Sequence, residues 1–205
     1  MLPLVPLKNI KRGKIFTHCG HNWIVLEHDN AGNTLALSQR IIGQMPFDDN
    51  NDNHWVASSL RAYLTTEFLD KLCLGKNIAK SNRTAAFSLG FRNYILDLTT
   101  DDGHKDYGQS YDCVFLLTYD LYRKHRDIIL PTNDWWWLAT AYSTVKGYDS
   151  WIRTVNEDGT IDVNTLASNQ YGGVRPACYL TSDTTVLCKP TYLASDIAIS
   201  YDTNK

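Results

Sequence analysis

Two short stretches of the sequence carry residue types that bind metal ions. His18-Cys19-Gly20-His21 offers two imidazoles and a thiol, but no second Cys/His pair follows at the spacing of a zinc site. Asp48-Asp-Asn-Asn-Asp-Asn-His54 resembles a calcium loop, yet Asn53 stands where Gly is required and Ser59 where a bidentate Glu should close the cage. We therefore predict an incidental strand turn at the first stretch, and neither a metal ion nor another cofactor for the protein.

Residues suited to nucleophilic or phosphoryl chemistry are scattered along the chain. There is no Gly-x-Ser-x-Gly elbow, no glycine-rich phosphate loop and no His-Glu-x-x-His motif. His104, His125 and the Asp101-Asp102 pair have no nucleophile arranged beside them. Because catalysis needs such groups at one shared site, we predict that the protein is not an enzyme.

The five cysteines have an odd count and a wide, irregular spacing, which is not the pattern of a disulfide framework. Each lies in apolar sequence, as Cys73 does between Leu72 and Leu74. We expect buried thiols that pack as small hydrophobic side chains.

The composition favours a packed protein and argues against two classes of partner. Of the 205 residues, 43% are hydrophobic and 12% aromatic, which is ample for a core. A net charge of −2 leaves no basic surplus for phosphates, so we predict no nucleic-acid partner and interpret the basic run at 8–14 as a solvated edge. No apolar run approaches the roughly eighteen residues of a membrane span, and the first seven residues lack the features of a secretory signal. We expect no membrane insertion and no signal peptide.

The first third of the chain predicts a small antiparallel meander and a helix. Residues 13–27 are β-branched and aromatic with a turn at 20–22, and Thr34–Ile42 continues as a third strand. Ser58-Ser59 offers an N-cap for a helix through Lys71. The helix has one apolar stripe, formed by Leu60, Tyr63, Leu64, Phe68 and Leu72.

The rest of the chain predicts short strands and a second helix, which Thr118 caps over Tyr119–His125. A hairpin turn is predicted at Glu157–Thr160. The predicted strands are Tyr94–Leu98, Cys113–Leu117, Trp135–Leu138, Ser150–Val155 and Val174–Leu180, with edge strands at Thr185–Cys188 and Asp196–Ser200. Mixed strands and two main helices without βαβ alternation indicate one α+β domain over residues 1–205.

A polar, aromatic stretch lies between Trp135–Leu138 and Gly172–Ala177. Rigid Tyr rings with small polar side chains are typical of recognition loops, and exposed aromatic rings usually have a partner. We predict a binding surface between Tyr142 and Tyr171; an ordinary solvated loop is the alternative. The candidate ligand-binding residues are Tyr142, Ser143, Lys146, Tyr148, Asp149, Trp151, Arg153, Asn156, Asn164, Asn169, Gln170 and Tyr171.

The two segments that flank this stretch, Trp135–Leu138 and Gly172–Ala177, are predicted to be structural anchors. In an extended chain Trp136 opposes Trp135 and Trp137, so at least one face of the run belongs in the core. Whether any of these rings is a ligand platform stays open. Arg175 is predicted to be buried or half-buried, with its guanidinium forking to backbone carbonyls or a carboxylate beside Trp rings. We therefore assign structural roles to Trp136, Trp137 and Arg175.

Five sequence blocks, in this order, carry a resemblance to a known family. They are Trp23–Leu26, Ser58–Leu69, Val114–Thr118, Trp135–Leu138 and Gly172–Ala177. Together they resemble the DUF6273 family of bacterial and phage proteins, over a core of about residues 8–181 with 182–205 as a C-terminal extension. The family usually reads Trp-Trp-Leu-Arg-Ser-Pro-Gly. In this chain Trp136-Trp137-Leu138 is followed by Ala-Thr-Ala-Tyr. The family's Arg and Pro are therefore missing at the start of the binding stretch.

The resemblance implies a C-type-lectin-like fold, shared with formylglycine-generating enzymes and the variable proteins of diversity-generating retroelements. Cys178 and Cys188 do not match the paired cysteines of those enzymes, so oxidase activity is not implied. What is implied is a ligand-binding scaffold found on cell surfaces or phage particles. We predict a non-enzymatic receptor- or ligand-binding protein, phage or prophage encoded and virion-associated, whose partner is a protein or glycan on a bacterial surface.

Two alternatives stay open at this point. One is an intracellular phage effector that binds and inhibits a host protein in the host cytoplasm. The other is a structural component of the virion. The oligomeric state is also left open.

Overall fold

The computed structural model describes residues 3–74 and 83–188, apart from the side chains of residues 74, 83, 163 and 164. Antiparallel strands make up most of its regular secondary structure. In chain order the strands are β1 (Leu4–Pro6), β2 (Ile15–His18), β3 (His21–His28), β4 (Asn33–Ser38), β5 (Tyr94–Asp97), β6 (Gln109–Asp112), β7 (Val114–Phe115), β8 (Trp136–Ala141), β9 (Trp151–Val155), β10 (Ile161–Leu166), β11 (Ala177–Thr181) and β12 (Thr185–Cys188).

The strands form three sheets. The largest has seven strands in the order β1-β12-β2-β3-β4-β11-β7, and every neighbouring pair in it is antiparallel. A second sheet has the order β10-β9-β8, and β5 pairs with β6 in a two-stranded ribbon. Together with the helices described below, this arrangement confirms the predicted α+β class.

The centre of the large sheet is the predicted meander β2-β3-β4, which is confirmed. Its first turn lies at Cys19 and Gly20, both with positive φ, and joins a strand pair in which His18 faces His21. Trp23 to Leu26 are all buried although they alternate between the two faces of β3. Both faces of this strand are therefore covered. The third strand ends at Ser38, short of the predicted Ile42.

One main helix, α1, begins after Ser58, whose Oγ accepts the backbone N–H of Arg61 at 3.1 Å. It runs without interruption through Ser59–Tyr63, a π-helical segment Leu64–Phe68 and Leu69–Leu74. The ring of Phe68 contacts that of His21 with a centroid distance of 5.7 Å, so α1 lies against the large sheet.

The expectation of two main helices needs correction. Helices α2 (Arg83–Ser88) and α3 (Tyr119–Lys124) have six residues each, and Leu7–Asn9 and Trp55–Ala57 are 3-10 turns. Thr118 caps α3 as predicted, but the helix ends before His125, where the chain turns and buries Ile129. Over the part of the chain that the structure describes, no helix combines the length and apolar character needed to cross a membrane.

Strand β12 was predicted at an edge but lies inside the large sheet. Leu187 pairs with Leu4 on one side and with Thr17 on the other. The other predicted edge strand, Asp196–Ser200, lies outside the described residues. All five cysteines are buried, and burial raises the pKa of the Cys73 and Cys178 thiols.

The segment Gly172–Arg175, which we call the seam, connects the two larger sheets. Its backbone bonds to residues 42–45 on one side, where Val174 N–H donates to Gly43 O at 2.9 Å. On the other side Trp137 N–H donates to Gly173 O at 3.0 Å. Because the seam occupies these residues, strand β11 begins only at Ala177 rather than at the predicted Val174.

The side chain of Arg175, the last residue of the seam, is fully enclosed, with 1% of its surface exposed. Its Nε donates to Ser38 O at 3.1 Å, its Nη1 donates to Leu130 O at 3.3 Å, and its guanidinium lies over the Trp136 ring. Burial lowers the pKa of Arg175 to about 10. Trp136 and Trp137 are buried as well, so neither ring forms a surface platform. Trp135 is half-buried and packs edge-on against Trp137.

Candidate functional site

The predicted binding stretch folds into two surface loops carried by the three-stranded sheet. Residues 142–150 connect β8 to β9, and residues 167–171 follow β10. Both loops dock on the same earlier segment: Asn53 N–H donates to Asp149 O at 3.0 Å, and Asp48 N–H donates to Ala167 O at 3.0 Å. We call residues 48–54, 142–151 and 167–171 the loop surface.

Asn53 holds the central loop in place. Its side chain is completely buried, and its Nδ2 donates to the carbonyls of Ser143 (2.9 Å), Tyr148 (3.2 Å) and Trp151 (3.1 Å). Its Oδ1 accepts the Tyr107 hydroxyl at 2.6 Å. Since the three loop acceptors are main-chain carbonyls, this anchoring depends on the backbone of the loop and not on its side chains.

Asp48 organises the neighbouring polar turn. Its Oδ2 accepts the backbone N–H groups of Asn50 (2.9 Å) and Asp52 (3.1 Å), and its Oδ1 accepts that of Ser59 (3.1 Å). The stretch that resembles a calcium loop is thus a turn closed by its own hydrogen bonds. Across residues 3–74 and 83–188, no group of three or more His, Cys, Asp or Glu side chains could hold a metal ion.

A polar cleft of about 480 Å³ opens between these loops. One part of its lining is aromatic, because the rings of His54 and Tyr107 stack with a centroid distance of 4.2 Å and an interplanar angle of 10°. The full lining is Asn50, Asn51, Asp52, His54, Tyr107, Thr144, Asp149 and Ser150.

The charged side chains that line the cleft are the carboxylates of Asp52 and Asp149. Burial, together with the charges of Asp52, Asp149 and Asp106, raises the pKa of Tyr107 to about 12. Burial also lowers the pKa of His54, which disfavours a compensating positive charge there. The cleft therefore offers hydrogen-bonding groups and an aromatic surface to polar ligands, and its field disfavours anionic ones.

Most predicted binding residues come together on the loop surface. Tyr148 and Tyr171 are strongly exposed, at 53% and 70%. Lys146, Asp149 and Gln170 are also exposed, while Tyr142, Trp151 and Asn169 are half-buried. The carboxylate of Asp149 accepts the Gly147 N–H, and the Asn169 amide oxygen accepts the Tyr171 N–H, so these two side chains also shape their loops.

Three predicted residues contribute no exposed side chain to the loop surface. Arg153 is only 5% exposed, because it pairs with Asp101 and lies over the ring of Tyr142. Ser143 is buried and accepts the Val145 N–H.

Asn156 is the third. It lies at the far end of β9 in the confirmed hairpin turn, where its amide donates to Thr160 Oγ1. The side chain of Asn164 lies outside the described part of the structure.

The sequence predictions missed several residues of the site, above all Asn53, His54, Tyr107 and Thr144. The run of Asp and Asn at 48–54 carries a signal for this segment, because Asp and Asn side chains also close turns through hydrogen bonds to the backbone. Asn53 acts on a carbonyl ninety positions away, that of Ser143, and no local pattern encodes such a contact.

A family described as "Domain of unknown function (DUF6273)" matches residues 77–182 of this chain. Neither the curated proteins nor the solved structures contain a match. The family match includes both loops of the predicted stretch and three of the five sequence blocks. The blocks Trp23–Leu26 and Ser58–Leu69 precede it, so it is shorter than the predicted core of 8–181. Since it spans more than half of the sequence, the chain belongs to the DUF6273 family.

Proposed function

We propose that the protein is a non-enzymatic binding protein with a C-type-lectin-like scaffold, and that the loop surface contacts a protein or glycan ligand. The observation that carries this proposal is the anchoring by Asn53. One buried amide fixes the backbone of a loop whose Tyr148 ring is exposed. A preformed loop loses little conformational entropy on binding, which favours affinity.

The same anchoring supports adaptable recognition. Because Asn53 bonds to carbonyls, side chains at exposed positions such as Val145, Lys146 and Tyr148 can change while the backbone path stays the same. Tyrosine supplies large, rigid contact area at such positions. The loop surface therefore combines a fixed backbone path with exposed side chains that can be replaced.

The polar cleft narrows the ligand chemistry that we propose. Its amides, carboxylates and stacked His54–Tyr107 pair suit a ligand rich in hydroxyl or amide groups. Its negative field favours neutral or positively charged groups over acidic ones. A neutral glycan or a basic protein segment meets both conditions.

We further propose that the protein is phage or prophage encoded and faces a bacterial surface from a virion. An intracellular effector that binds a host protein would use the same surface, and the identity of the ligand distinguishes the two. A purely structural virion component would need no ligand for the loop surface.

Binding of the purified protein to arrays of bacterial surface glycans and to host lysate proteins tests the proposal. The Tyr148→Ala/Tyr171→Ala variant should lose binding by about tenfold or more, since exposed aromatic rings dominate such contacts. Tyr111→Ala is the matched control, because Tyr111 is 51% exposed but lies on strand β6, outside the loop surface.

Each outcome of this assay has a distinct meaning. Binding to a bacterial surface glycan supports the virion-associated binding protein, and binding to a single host protein supports the intracellular effector. Binding that survives in the double variant, or that Tyr111→Ala weakens equally, would show that the loop surface is not the site. No binding by the folded protein would favour the structural component.

A further inference from the structure

The two-stranded ribbon of β5 and β6 has an outer edge along β5. Beside the end of this strand, Leu98 N–H donates to Gly108 O at 3.0 Å across the ribbon. Bonded and non-bonded residue pairs alternate in an antiparallel ladder, so Ile95 and Asp97 take the non-bonded positions of β5. Their backbone N–H and C=O groups therefore point away from β6. In the part of the chain that the structure describes, these groups have no hydrogen-bond partner.

A groove of about 300 Å³ runs along this edge. All four residues of β5 line it, whereas none of the four residues of β6 does. Helix α3 supplies a second wall through Tyr119, Leu121 and Arg123. The edge of β5 thus faces an open groove between the ribbon and the helix. Unpaired strand edges of this kind are where extended peptides add a further strand.

The side chains at the two outward positions are exposed and differ in character. Ile95 is 56% exposed and Asp97 is also exposed, whereas Leu96 between them is buried. The residues of an added strand that lie beside Ile95 and Asp97 project their side chains on the same face as these two. An apolar residue suits the position beside Ile95, and a Lys or Arg suits the position beside Asp97.

The groove has an acidic lining. Its charged side chains are the carboxylates of Asp97, Asp101 and Asp120 and the guanidinium of Arg123. Asp101 pairs with Arg153, and Asp120 Oδ1 lies 3.9 Å from Arg123 Nη1. Carboxylates therefore outnumber cations along the groove, and Asp97 is the one on the edge strand itself.

Asp97 is an ionised acceptor on this edge. The N–H and the hydroxyl of Thr99 donate to its carboxylate at 2.9 Å and 2.7 Å. These two bonds, with a smaller contribution from the charge of Lys105, lower the pKa of Asp97. Pairing of β5 with β5 of a second copy would bring the same carboxylates to both sides, whereas a Lys or Arg side chain complements them.

We propose that the outer edge of β5 binds an extended basic segment of a partner protein, which adds to the ribbon as a third strand. Backbone hydrogen bonds to Ile95 and Asp97 hold the segment, and a basic side chain two residues from an apolar one gives specificity. This surface shares no residue with the loop surface. The proposal therefore does not depend on the function proposed for the loops.

Amide hydrogen exchange measured by NMR, with a synthetic peptide as the probe, tests the proposal. The peptide is acetyl-Thr-Lys-Thr-Val-Thr-Lys-Thr-amide, in which Val and both Lys share one face of an extended chain. In the free protein, the amides of Ile95 and Asp97 should exchange fast and those of Leu96 and Leu98 slowly. At saturating peptide, exchange at Ile95 and Asp97 should slow by at least about tenfold.

Two N-methylated forms of the peptide separate strand addition from side-chain contacts. One carries methyl groups on the amides of Val and both Lys, and the other carries them on the amides of the Thr residues between. Because only one edge of an added strand faces β5, one form should fail to bind and the other should bind like the parent peptide. A peptide with Glu in place of both Lys should bind at least about fivefold more weakly.

Asp97→Asn should weaken binding of the basic peptide by about threefold. Asp158→Asn is the matched control, because the exposed Asp158 also accepts the N–H and hydroxyl of a Thr two positions later but lies in the hairpin turn after β9.

Three results would overturn the proposal. The first is equal binding of the two N-methylated forms, or of the Lys and Glu peptides, since side chains or non-specific contacts would then hold the peptide. The second is exchange at Ile95 and Asp97 that the peptide leaves unchanged. The third is protection of these amides in the free protein, which would mean that the chain itself or a second copy already occupies the edge.

Discussion

The seam and the loop surface are both held by backbone hydrogen bonds, but different physical effects fix their conformations. At the seam, a Cβ on Gly172 would lie 1.9 Å from Nε1 of Trp137, and one on Gly173 would lie 2.4 Å from the Trp135 carbonyl oxygen. The space that a side chain would need is already filled. Steric exclusion therefore specifies residue types at the seam.

The loop surface is fixed by polar groups instead. Asn53 bonds to three carbonyls of the 142–151 loop, and Asp48 bonds to backbone N–H groups of its own turn. Tyr148 and Tyr171 are exposed, and the Tyr148 ring packs edge-on against that of Tyr142. Such anchoring specifies a backbone path but leaves the exposed side chains unspecified. One chain therefore keeps a rigid join between two sheets and an adaptable surface beside it.

The largest effect is expected at the seam. Gly172→Ala should lower the free energy of unfolding by about 3 kcal/mol or more, because the new Cβ overlaps the Trp137 ring. Gly43→Ala is the matched control: Gly43 also contacts the seam, but a Cβ there meets no atom within 4 Å. Urea denaturation of both variants measures the difference. Equal, small losses would show that the seam is not sterically fixed.

The pH dependence of stability tests the packing around His21. His21 lies between the rings of Trp23 and Phe68, and burial lowers its pKa to about 4. The unfolded chain, with a His pKa of about 6.5, binds this proton first as the pH falls. Stability should therefore decline between pH 6.5 and 4 by about 3 kcal/mol from this group, and no further below that range.

Urea denaturation across this pH range measures the effect, and His21→Gln should remove that part of the decline. His125 contributes in the same direction, because burial lowers its pKa as well. An unchanged pH dependence in the variant would mean that His21 is not desolvated in the folded protein.

A smaller effect on stability, with a local change in dynamics, is expected at Asn53. Asn53→Ala removes the side-chain donor from three loop carbonyls, of which those of Tyr148 and Trp151 keep a backbone N–H, and it should cost about 2 kcal/mol. Hydrogen exchange in residues 143–151 should accelerate while exchange in β3 stays slow. Asn133→Ala, at an exposed asparagine, is the control. Uniform acceleration across the molecule would contradict a local anchoring role.

The smallest effect is expected from the exposed rings themselves. Tyr148→Ala and Tyr171→Ala should each change the free energy of unfolding by no more than about 0.5 kcal/mol, because the loop carbonyls keep their contacts. Thermal unfolding measures this directly. A loss above about 1 kcal/mol would show that the rings support the loops and that their side chains, like those at the seam, are specified by packing.

Several elements followed from short-range patterns. The meander around Trp23, the N-cap at Ser58 and the hairpin turn before Thr160 were all predicted. In each case residues within a few positions of one another supply the signal, through alternation, capping or turn geometry. Boundaries were less certain, as the late start of β11 shows, because the seam competes for the same residues.

The site was only partly predictable for the same reason. Composition identified Tyr148 and Tyr171, both exposed, but it could not separate them from Arg153, which is buried against Asp101. Exposure depends on which distant segments pack together. Arg153 and Trp151 differ by two positions in one strand, and only their tertiary neighbours give them different surroundings.

Local sequence was sufficient to predict the α+β class, the central meander, the capped main helix and a polar aromatic stretch between two structural anchors. Tertiary structure alone decided that β12 lies inside the large sheet, that the side chain of Arg175 is fully enclosed and that Asn53 holds a loop ninety positions later. The physical reason is the distance along the chain over which each kind of interaction acts. Backbone preferences and capping act over a few residues, whereas burial and buried hydrogen bonds depend on atoms that only folding brings together.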